Sequence, residues 1–347
     1  MCIRDRARPH GILRAGFPYL TTLGMRRVTN FPTDITFGKD ETIYILMRSE
    51  GAATIRIWST DDMEELTDDL KGFGSYGSED GQFIWPVSII NGPEGDLFIS
   101  DEWTNRITRL STEGEFVTKF GKEGDGQGEF RGPSGIAFDQ EGNIVVVDSK
   151  NHRIQRYSVC GEYMGGFGKF GTEEGCLNLP WGIDIDEFGD IYVADWGNNR
   201  VQVFTSEGHL KNSFGQLGSG EGQFERPTGV TVDAHGDIYV ADWGNNRVMQ
   251  FNPEGQYIWS FTGDATLSKV ARNYMLTNAV PNRLRETGRV EHERYLRRPR
   301  SVRIDKEFWL FFPDYESYRI QFYQKDFIEL DETQYAAPLR NPTLEVT

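Results

Sequence analysis

Four prolines recur at one spacing through the middle of this chain. Pro86, Pro133, Pro180 and Pro227 are each 47 residues apart. An apolar residue stands three positions before each of them: Phe83, Phe130, Leu177 and Phe224. Pro32 and Pro299 extend the series with longer steps. A fixed period of this length is typical of solenoids, propellers and repeat arrays. The 347-residue chain is therefore predicted to be a repeat protein rather than a set of unrelated domains.

Each repeat contains four short apolar or alternating segments. In the fourth repeat they span 182–186, 190–195, 200–204 and 210–214, and Gly, Asp or Asn bounds each of them. Such segments are predicted to be β-strands. The connections are too short for crossover helices, so each repeat is predicted to be an antiparallel meander, the blade of a β-propeller. The prolines place the starts of six blades near residues 32, 86, 133, 180, 227 and 299.

An aspartate and an arginine recur at the two ends of the loop between the second and third strands. The arginine follows the aspartate by five residues in five repeats: Asp101 and Arg106, Asp148 and Arg153, Asp195 and Arg200, Asp242 and Arg247, Asp314 and Arg319. A carboxylate and a guanidinium at fixed ends of a tight loop can lock it by paired hydrogen bonds. We call each pair a clasp and predict that its role is structural, because a catalytic residue need occur only once.

These residues carry a family resemblance. Residues 180–204 read Pro-Trp-Gly-Ile-Asp-Ile-Asp-x-x-Gly-Asp-Ile-Tyr-Val-Ala-Asp-x-x-Asn-x-Arg-Val-Gln-Val-Phe, which resembles the NHL repeat, and 151–155 match it too. The resemblance covers residues 17–325 and implies an all-β, six-bladed propeller of four-stranded antiparallel blades. The first repeat departs from the pattern by lacking a clasp. The sixth has Ser317 and Tyr318 where the repeat usually has Asn.

The two ends of the chain bear on how the ring closes. Residues 17–23 look like a strand without a blade of its own, and are predicted to pair with blade six; the alternative is closure by 327–330. Closure removes exposed sheet edges. The propeller is thus predicted over 17–330, followed by a C-terminal tail over 331–347 that packs on the surface or frays. Residues 1–6 look like translated sequencing adapter, so 1–16 are predicted to be an artefactual, disordered start.

A segment of 264–298 interrupts the repeat between blades five and six. Asp264 and Thr266 offer an N-cap, and 266–278 has apolar residues at helical spacing, so a short helix is predicted here. Residues 264–303 hold ten Lys and Arg against four Asp and Glu, in a chain whose net charge is −16. Outer-to-inner connections emerge on the same face as the clasp loops. The insert is therefore predicted on that face, as a lid or partner-docking element; the alternative is a passive decoration.

Metal-dependent catalysis is the chemistry that the resemblance raises first, because gluconolactonase-like propellers and amidating lyases share this architecture. Such sites need ligands that converge at the channel mouth. Among residues that begin the innermost strands, only Asp34 is a plausible ligand. His209 and His235 fall on turns of one face, His152 falls on the other, and His10 and His292 lie outside the blades. Asp184 and Asp186 fit a capped hairpin turn better than a calcium loop. We therefore predict no metal and no cofactor.

Large aromatic residues follow the clasp aspartates. Trp103, Trp196, Trp243 and Tyr315 stand one or two positions after them, and Trp181 enters an innermost strand from the same face. Aromatics on loops supply binding area at low entropic cost, although each could instead cover its own clasp or pack on the next blade. The predicted site is this clasp-loop face, with Asp34 and Arg300 at the channel mouth.

The sequence favours a non-catalytic binding or scaffold propeller that takes a protein or small-molecule partner. The alternative is a metal-dependent lactonase or lyase with its site near Asp34 and Arg300, and a third reading is RNA binding through the basic insert. The acidic net charge argues against nucleic acid as a general partner. The sequence has no apolar run of membrane-spanning length. Three cysteines give no disulfide framework, which slightly favours the cytoplasm. A monomer is expected.

Overall fold

Six four-stranded antiparallel sheets form the blades of a closed propeller. The structure, a computed structural model, describes residues 12–26, 28–38, 42–48, 54–59, 72–278, 280, 283 and 290–329. In blades one to five the strands follow each other from the innermost to the outermost in chain order. The predicted meander, the blade number and the antiparallel pairing are confirmed.

The strand bounds repeat closely from blade to blade. Blade one has Pro32–Phe37, Thr42–Met47, Ile55–Ser59 and Gly72–Phe73. Blade two has Pro86–Asn91, Leu97–Asp101, Arg106–Leu110 and Phe116–Phe120. Blade three has Pro133–Phe138, Ile144–Asp148, Arg153–Tyr157 and Tyr163–Phe167. Blade four has Ile183–Ile185, Ile191–Asp195, Arg200–Phe204 and Leu210–Phe214. Blade five has Pro227–Val232, Ile238–Asp242, Arg247–Phe251 and Tyr257–Phe261.

Blade six takes its strands from both ends of the chain. Arg303–Ile304, Trp309–Asp314 and Arg319–Gln324 are its inner three strands, and Tyr19–Leu23 is the outermost. Closure by the N-terminal strand is therefore confirmed. The alternative closing segment forms the strand Asp326–Glu329 instead, which pairs with Ile12–Gly16 in a separate ribbon. The structure thus places residues 12–16 in a strand, where the sequence predicted disorder over 1–16; residues 1–11 and 331–347 lie outside the described residues.

The hydrophobic cores lie between blades rather than within them. Each of six clusters joins the facing sides of two neighbouring blades. In blade four, Tyr192 and Ala194 pack towards blade five, whereas Ile191 and Val193 pack towards blade three. Because successive strand side chains point to opposite faces, the middle strands are buried on both sides. This explains why they read as apolar runs in the sequence.

The apolar residue three positions before each blade proline anchors one of these cores. Phe83, Phe130, Leu177 and Phe224 are at most 1% exposed. Leu296 has the same offset from Pro299 and is also buried, in the cluster between blades five and six. The insert therefore returns to the repeat frame before blade six begins.

The insert between blades five and six contains the α-helix Lys269–Thr277 and the 3-10 turn Val290–Arg294. Ser268 caps the helix by accepting a hydrogen bond from the Ala271 amide (3.1 Å), so the predicted caps at Asp264 and Thr266 were wrong. Val270 and Tyr274 line a groove with Met25 and Val28, which follow the outermost strand of blade six. This helix, the one α-helix of the described ranges, therefore packs at the periphery of the ring. It is not long and apolar enough to span a membrane.

Glycines let the innermost strands of blades three to six approach each other closely. A Cβ atom on Gly182 would lie 2.5 Å from the Thr228 carbonyl oxygen, and one on Gly229 would lie 2.7 Å from the Ser301 Cα. Gly135 has the same relation to Trp181, whose carbonyl oxygen accepts its amide hydrogen bond (2.8 Å). The inner wall of the channel is therefore closed here by backbone rather than by side chains.

We expect Gly182→Ala to lower the free energy of unfolding by about 1–3 kcal/mol, because the added methyl group meets backbone that cannot rotate away. Denaturant unfolding of the purified chain measures this. Gly220→Ala is the matched control, since its Cβ would meet only the flexible end of Gln223. Equal losses in the two variants would contradict the close-packing account.

Candidate functional site

In four of the five blades with a predicted clasp, the clasp loop has the geometry that the sequence predicted. The Nε atom of the arginine donates to the aspartate at 2.8–2.9 Å in the pairs Arg153 and Asp148, Arg200 and Asp195, Arg247 and Asp242, Arg319 and Asp314. Arg153 also donates to the carbonyl oxygens of Asp125, Gly126 and Glu129. The clasp therefore ties its own loop to the connection that arrives from the preceding blade.

Blade two departs from this arrangement. Asp101 accepts the backbone amides of Ile84, Trp85, Trp103 and Thr104 at 2.7–3.2 Å. Arg106 donates to three carbonyl oxygens of the preceding connection. Within the part of the chain that the structure describes, these two side chains form no ion pair, so the fifth predicted clasp is incorrect. Its carboxylate is already occupied by main-chain donors.

Two rings of equivalent positions surround the channel mouth on the clasp-loop face. The first is the residue directly after the clasp aspartate position: Arg48, Glu102, Ser149, Trp196, Trp243 and Tyr315. The second is the residue directly after the blade proline: Thr33, Val87, Ser134, Trp181, Thr228 and Arg300. Arg48, Trp181 and Arg300 line the opening itself. The mouth is thus asymmetric, with its large side chains concentrated at a few blades.

Arginine side chains stack on the aromatic rings of this face. The Arg300 guanidinium carbon lies 4.6 Å from the ring centre of Tyr315 and 5.7 Å from that of Trp181. Arg48 lies 5.4 Å from the ring of Trp85, which packs edge-to-face on Trp103 at 4.8 Å. Cation–π contacts of this kind hold the planes of both partners. These six side chains form two groups at the same opening, one around Arg300 and one around Arg48. We call the two groups together the mouth cluster.

Two predicted tryptophans lie outside that cluster. Arg226 covers Trp196 at 4.9 Å, and Arg298 covers Trp243 at 4.6 Å. Both arginines stand just before a blade proline with positive φ (57° and 52°), and asparagines of the preceding clasp loop accept their amide hydrogen bonds. Here the aromatic ring packs on the next blade, as the alternative interpretation expected.

Below the mouth, the channel is occupied by an ion pair. Arg303 donates to both carboxylate oxygens of Asp34, at 2.9 Å from Nε and 2.6 Å from Nη2. The Ser88 hydroxyl (2.7 Å) and the amides of Ile89 and Ile35 also donate to Asp34. Asp34 is 1% exposed. Its carboxylate is saturated by hydrogen bonds and has no lone pair directed at a ligand.

The repeated segments of this chain match a known repeat family. The model of the NHL repeat matches residues 130–157, 177–204 and 224–251, which fall in blades three, four and five. The chain is an NHL-repeat β-propeller. No match was found among curated proteins.

Solved structures share the fold of this NHL propeller at low identity. A streptogramin B lyase is 16% identical, with a TM-score of 0.55 over 92% of this chain and 89% of that one. Virginiamycin B lyase from Staphylococcus aureus is 15% identical, with a TM-score of 0.57 over 90% of this chain and 100% of that one. A structural genomics protein of unknown function from Bacteroides thetaiotaomicron is 15% identical, with a TM-score of 0.58 over 90% and 72%. At these identities the likeness establishes the fold.

The NHL propeller brings some predicted site residues together and separates others. Trp103, Trp181, Tyr315 and Arg300 belong to the mouth cluster. Trp196 and Trp243 are covered, and Asp34 lies below the mouth as part of an ion pair. Sequence reasoning missed Arg48, Trp85 and Arg303. Aligning the positions before and after each blade proline, and after each clasp aspartate, would have revealed the first two.

The remaining acidic and histidine positions serve the fold. Asp184 accepts hydrogen bonds from the Thr231 hydroxyl (2.7 Å) and the Val232 amide (2.9 Å), and burial raises its pKa although the charge of Arg303 opposes this. Asp186 accepts the amides of Phe188 and Asp190 in its turn. His152 Nδ1 accepts the Leu179 amide (3.0 Å). No group of three or more His, Cys, Asp or Glu residues in the described ranges is suited to hold a metal ion.

Proposed function

We propose that this protein is a non-catalytic binding propeller that takes a small ligand at the mouth of its channel, on the clasp-loop face. The observation that carries this is the mouth cluster. Trp103 and Trp85 are 55% and 41% exposed, and Trp85 lies beside Arg48. Arg48 lines the concave opening together with Arg300, which lies over Tyr315. Aromatic side chains with polar groups around a concavity are the usual composition of a ligand site.

The chemistry of the opening supports binding over catalysis. General acid–base work requires a titratable group within reach of substrate. The described lining of the opening contains no histidine or cysteine. Its carboxylate, Asp34, is held by Arg303, and nearby Glu102 pairs with Arg48 (3.3 Å) and Lys150 (3.2 Å). The groups present are suited to hold and orient a ligand.

Ligand binding at the mouth cluster can be tested directly by substituting its tryptophans. A panel of small organic compounds is screened by thermal unfolding, where a ligand at about a hundred times its dissociation constant adds about 2.7 kcal/mol. We expect hits to raise the midpoint by a few degrees, and Trp103→Ala or Trp181→Ala to remove most of that shift.

The control for this screen is Trp259→Ala. Trp259 is 56% exposed but lies on the outermost strand of blade five. Hits whose shift survives both mouth substitutions, or falls equally in the Trp259 variant, would place binding elsewhere and refute the proposal.

A lyase activity is the second candidate, because two of the similar structures are lyases that align along nine-tenths of this chain. One lyase structure from Staphylococcus aureus was solved with quinupristin. Incubating the protein with quinupristin and separating the products tests this directly. Unfolding with EDTA, and then with added Ca²⁺, Zn²⁺ or Mg²⁺, is the companion measurement. Turnover together with a metal-specific rise of the midpoint would favour the enzyme over the binding propeller.

A further inference from the structure

Three buried polar atoms at the channel mouth lack hydrogen-bond partners. They are Nε of Arg48, Nε of Arg300 and the hydroxyl oxygen of Ser301. All three residues line the same opening. Buried polar groups in folded proteins are nearly always satisfied, so a set of hydrogen-bonding groups that converges on one opening is suited to bind a polar partner there. Each arginine Nε is a hydrogen-bond donor, and the serine hydroxyl can donate as well.

The charge at the mouth is opposite to that of the chain. Arg300 forms no ion pair with any described carboxylate. Arg48 pairs with Glu102, which also pairs with Lys150. Three cations therefore face one carboxylate, on a protein whose net charge is −16. Burial lowers the pKa of Arg300, and the neighbouring positive charge of Arg48 lowers it further. An anion between the two arginines would relieve that repulsion.

The position of these arginines follows from two departures in the repeat. Blade one has no clasp, and Arg48 takes the ring position that is aromatic in blades four, five and six. Blade six places Arg300 where blade four has Trp181. Both guanidinium groups lie over aromatic rings. Stacking uses the faces of a guanidinium and leaves its N–H edge available for a planar or tetrahedral oxyanion.

We propose that the mouth binds the oxyanion, a carboxylate or a phosphate, of a small organic ligand. Arg48 and Arg300 hold this group together with the Ser301 hydroxyl, and the carbon skeleton rests on Trp85 and Trp103. The inference deepens the proposed function and rests on it. It specifies a chemical class that the aromatic surface alone does not specify.

Three matched probes distinguish the contribution of the anionic group to binding from the contribution of the aromatic ring. Benzoate, phenyl phosphate and neutral benzamide are titrated into the full chain and followed by tryptophan fluorescence. We expect one of the anions to bind at least about tenfold more tightly than benzamide. A charge-assisted hydrogen bond to a buried arginine contributes enough binding free energy for a difference of that size. The preferred anion distinguishes a carboxylate ligand from a phosphate ligand.

Substitutions locate the anion. Arg300→Gln and Arg48→Gln should each weaken the preferred anion by about tenfold or more and leave benzamide unchanged. Arg298→Gln is the matched control, since Arg298 also stacks on a tryptophan of this face but pairs with Glu316 (3.0 Å). Thermal midpoints identify any variant that fails to fold, and the second arginine variant then provides the test.

Three outcomes overturn the inference: equal binding of benzoate, phenyl phosphate and benzamide, unchanged anion affinity in both arginine variants, or no binding of either anion. The proposed function fails separately. Neutral screening hits that depend on Trp181 but not on Arg300 would refute the oxyanion and leave the binding propeller intact. Hits whose binding is unchanged by substitution of the mouth tryptophans would refute both the binding propeller and the oxyanion site.

Discussion

Lys325→Met is expected to lower the free energy of unfolding by about 3–5 kcal/mol, because it leaves buried Asp233 without its cation and leaves Asp237 with Arg14 alone. The Lys325 side chain is fully buried. Its Nζ atom contacts Asp233 Oδ2, Asp237 Oδ2 (2.9 Å) and His235 Nδ1 (3.2 Å). This cluster lies on the face opposite the clasps, where it joins the segment after blade six to blade five. Guanidinium-induced unfolding measures the loss.

The same cluster predicts how that loss depends on pH. Burial alone would raise the pKa of Asp237, but hydrogen bonds from Arg14 and Lys325 hold it below its usual value. A carboxyl group with a depressed pKa contributes stability above its unfolded pKa of about 3.9 and loses it as the pH falls through the folded value. The cost of Lys325→Met should therefore shrink as the pH is lowered below about 4.

An exposed lysine provides the control for this substitution. Lys122 is 76% exposed and pairs with Glu129 at 2.9 Å. Surface pairs contribute about 0–1 kcal/mol, so Lys122→Met should change the unfolding free energy little. A loss at Lys325 no larger than at Lys122, or one independent of pH, would show that the buried cluster does not stabilise the ring.

The fold could be predicted from the sequence because local and global signals agree at every repeat. Pro133, Phe130 and the clasp of blade three each fix a feature that depends on neighbours within one or two blades. The bounds of blade six and the N-terminal closure followed from counting strands. The ribbon of 12–16 with 326–329 could not be predicted in this way, because its two strands come from opposite ends of the chain and belong to no repeat.

The candidate site was harder to predict than the fold. The belt of aromatic residues was visible, but the sequence does not show which rings are covered. Trp196 and Trp243 are covered because an arginine precedes the next proline, whereas Leu179 and Gly132 stand there in other blades. Asp34 looked available because its partner, Arg303, is 269 residues away. Side chains that meet only through ring closure leave no local pattern.

The helix of the insert shows the same limit. Its existence followed from apolar spacing, but its place depended on the outermost strand of blade six, which comes from the other end of the chain. Val270 packs beside Val28 there, and none of the insert's described residues lines the mouth. This arrangement does not support the predicted lid over the channel and favours a peripheral element.

Asp195→Ala is expected to lower the free energy of unfolding by about 3–5 kcal/mol, because it leaves the partly buried guanidinium of Arg200 without its carboxylate partner. Asp195 accepts hydrogen bonds from the Asn178 amide (2.7 Å), Asn198 Nδ2 (2.8 Å) and Arg200 Nε (2.9 Å). Burial raises the pKa of this carboxyl group, and these bonds offset part of that effect. The clasp joins blade four to the connection from blade three through Arg200, so its loss should loosen both.

A double variant distinguishes the ion pair from general disruption of the loop. Removing the arginine as well, in Asp195→Ala with Arg200→Met, eliminates the unpaired charge, so part of the lost stability should return. Exposed Asp125 is the control, and Asp125→Ala should change stability by less than about 0.5 kcal/mol. If the double variant is no more stable than the single one, the main-chain and amide partners of Asp195 carry the clasp. Its arginine would then act mainly through the carbonyl oxygens of Glu173 and Cys176.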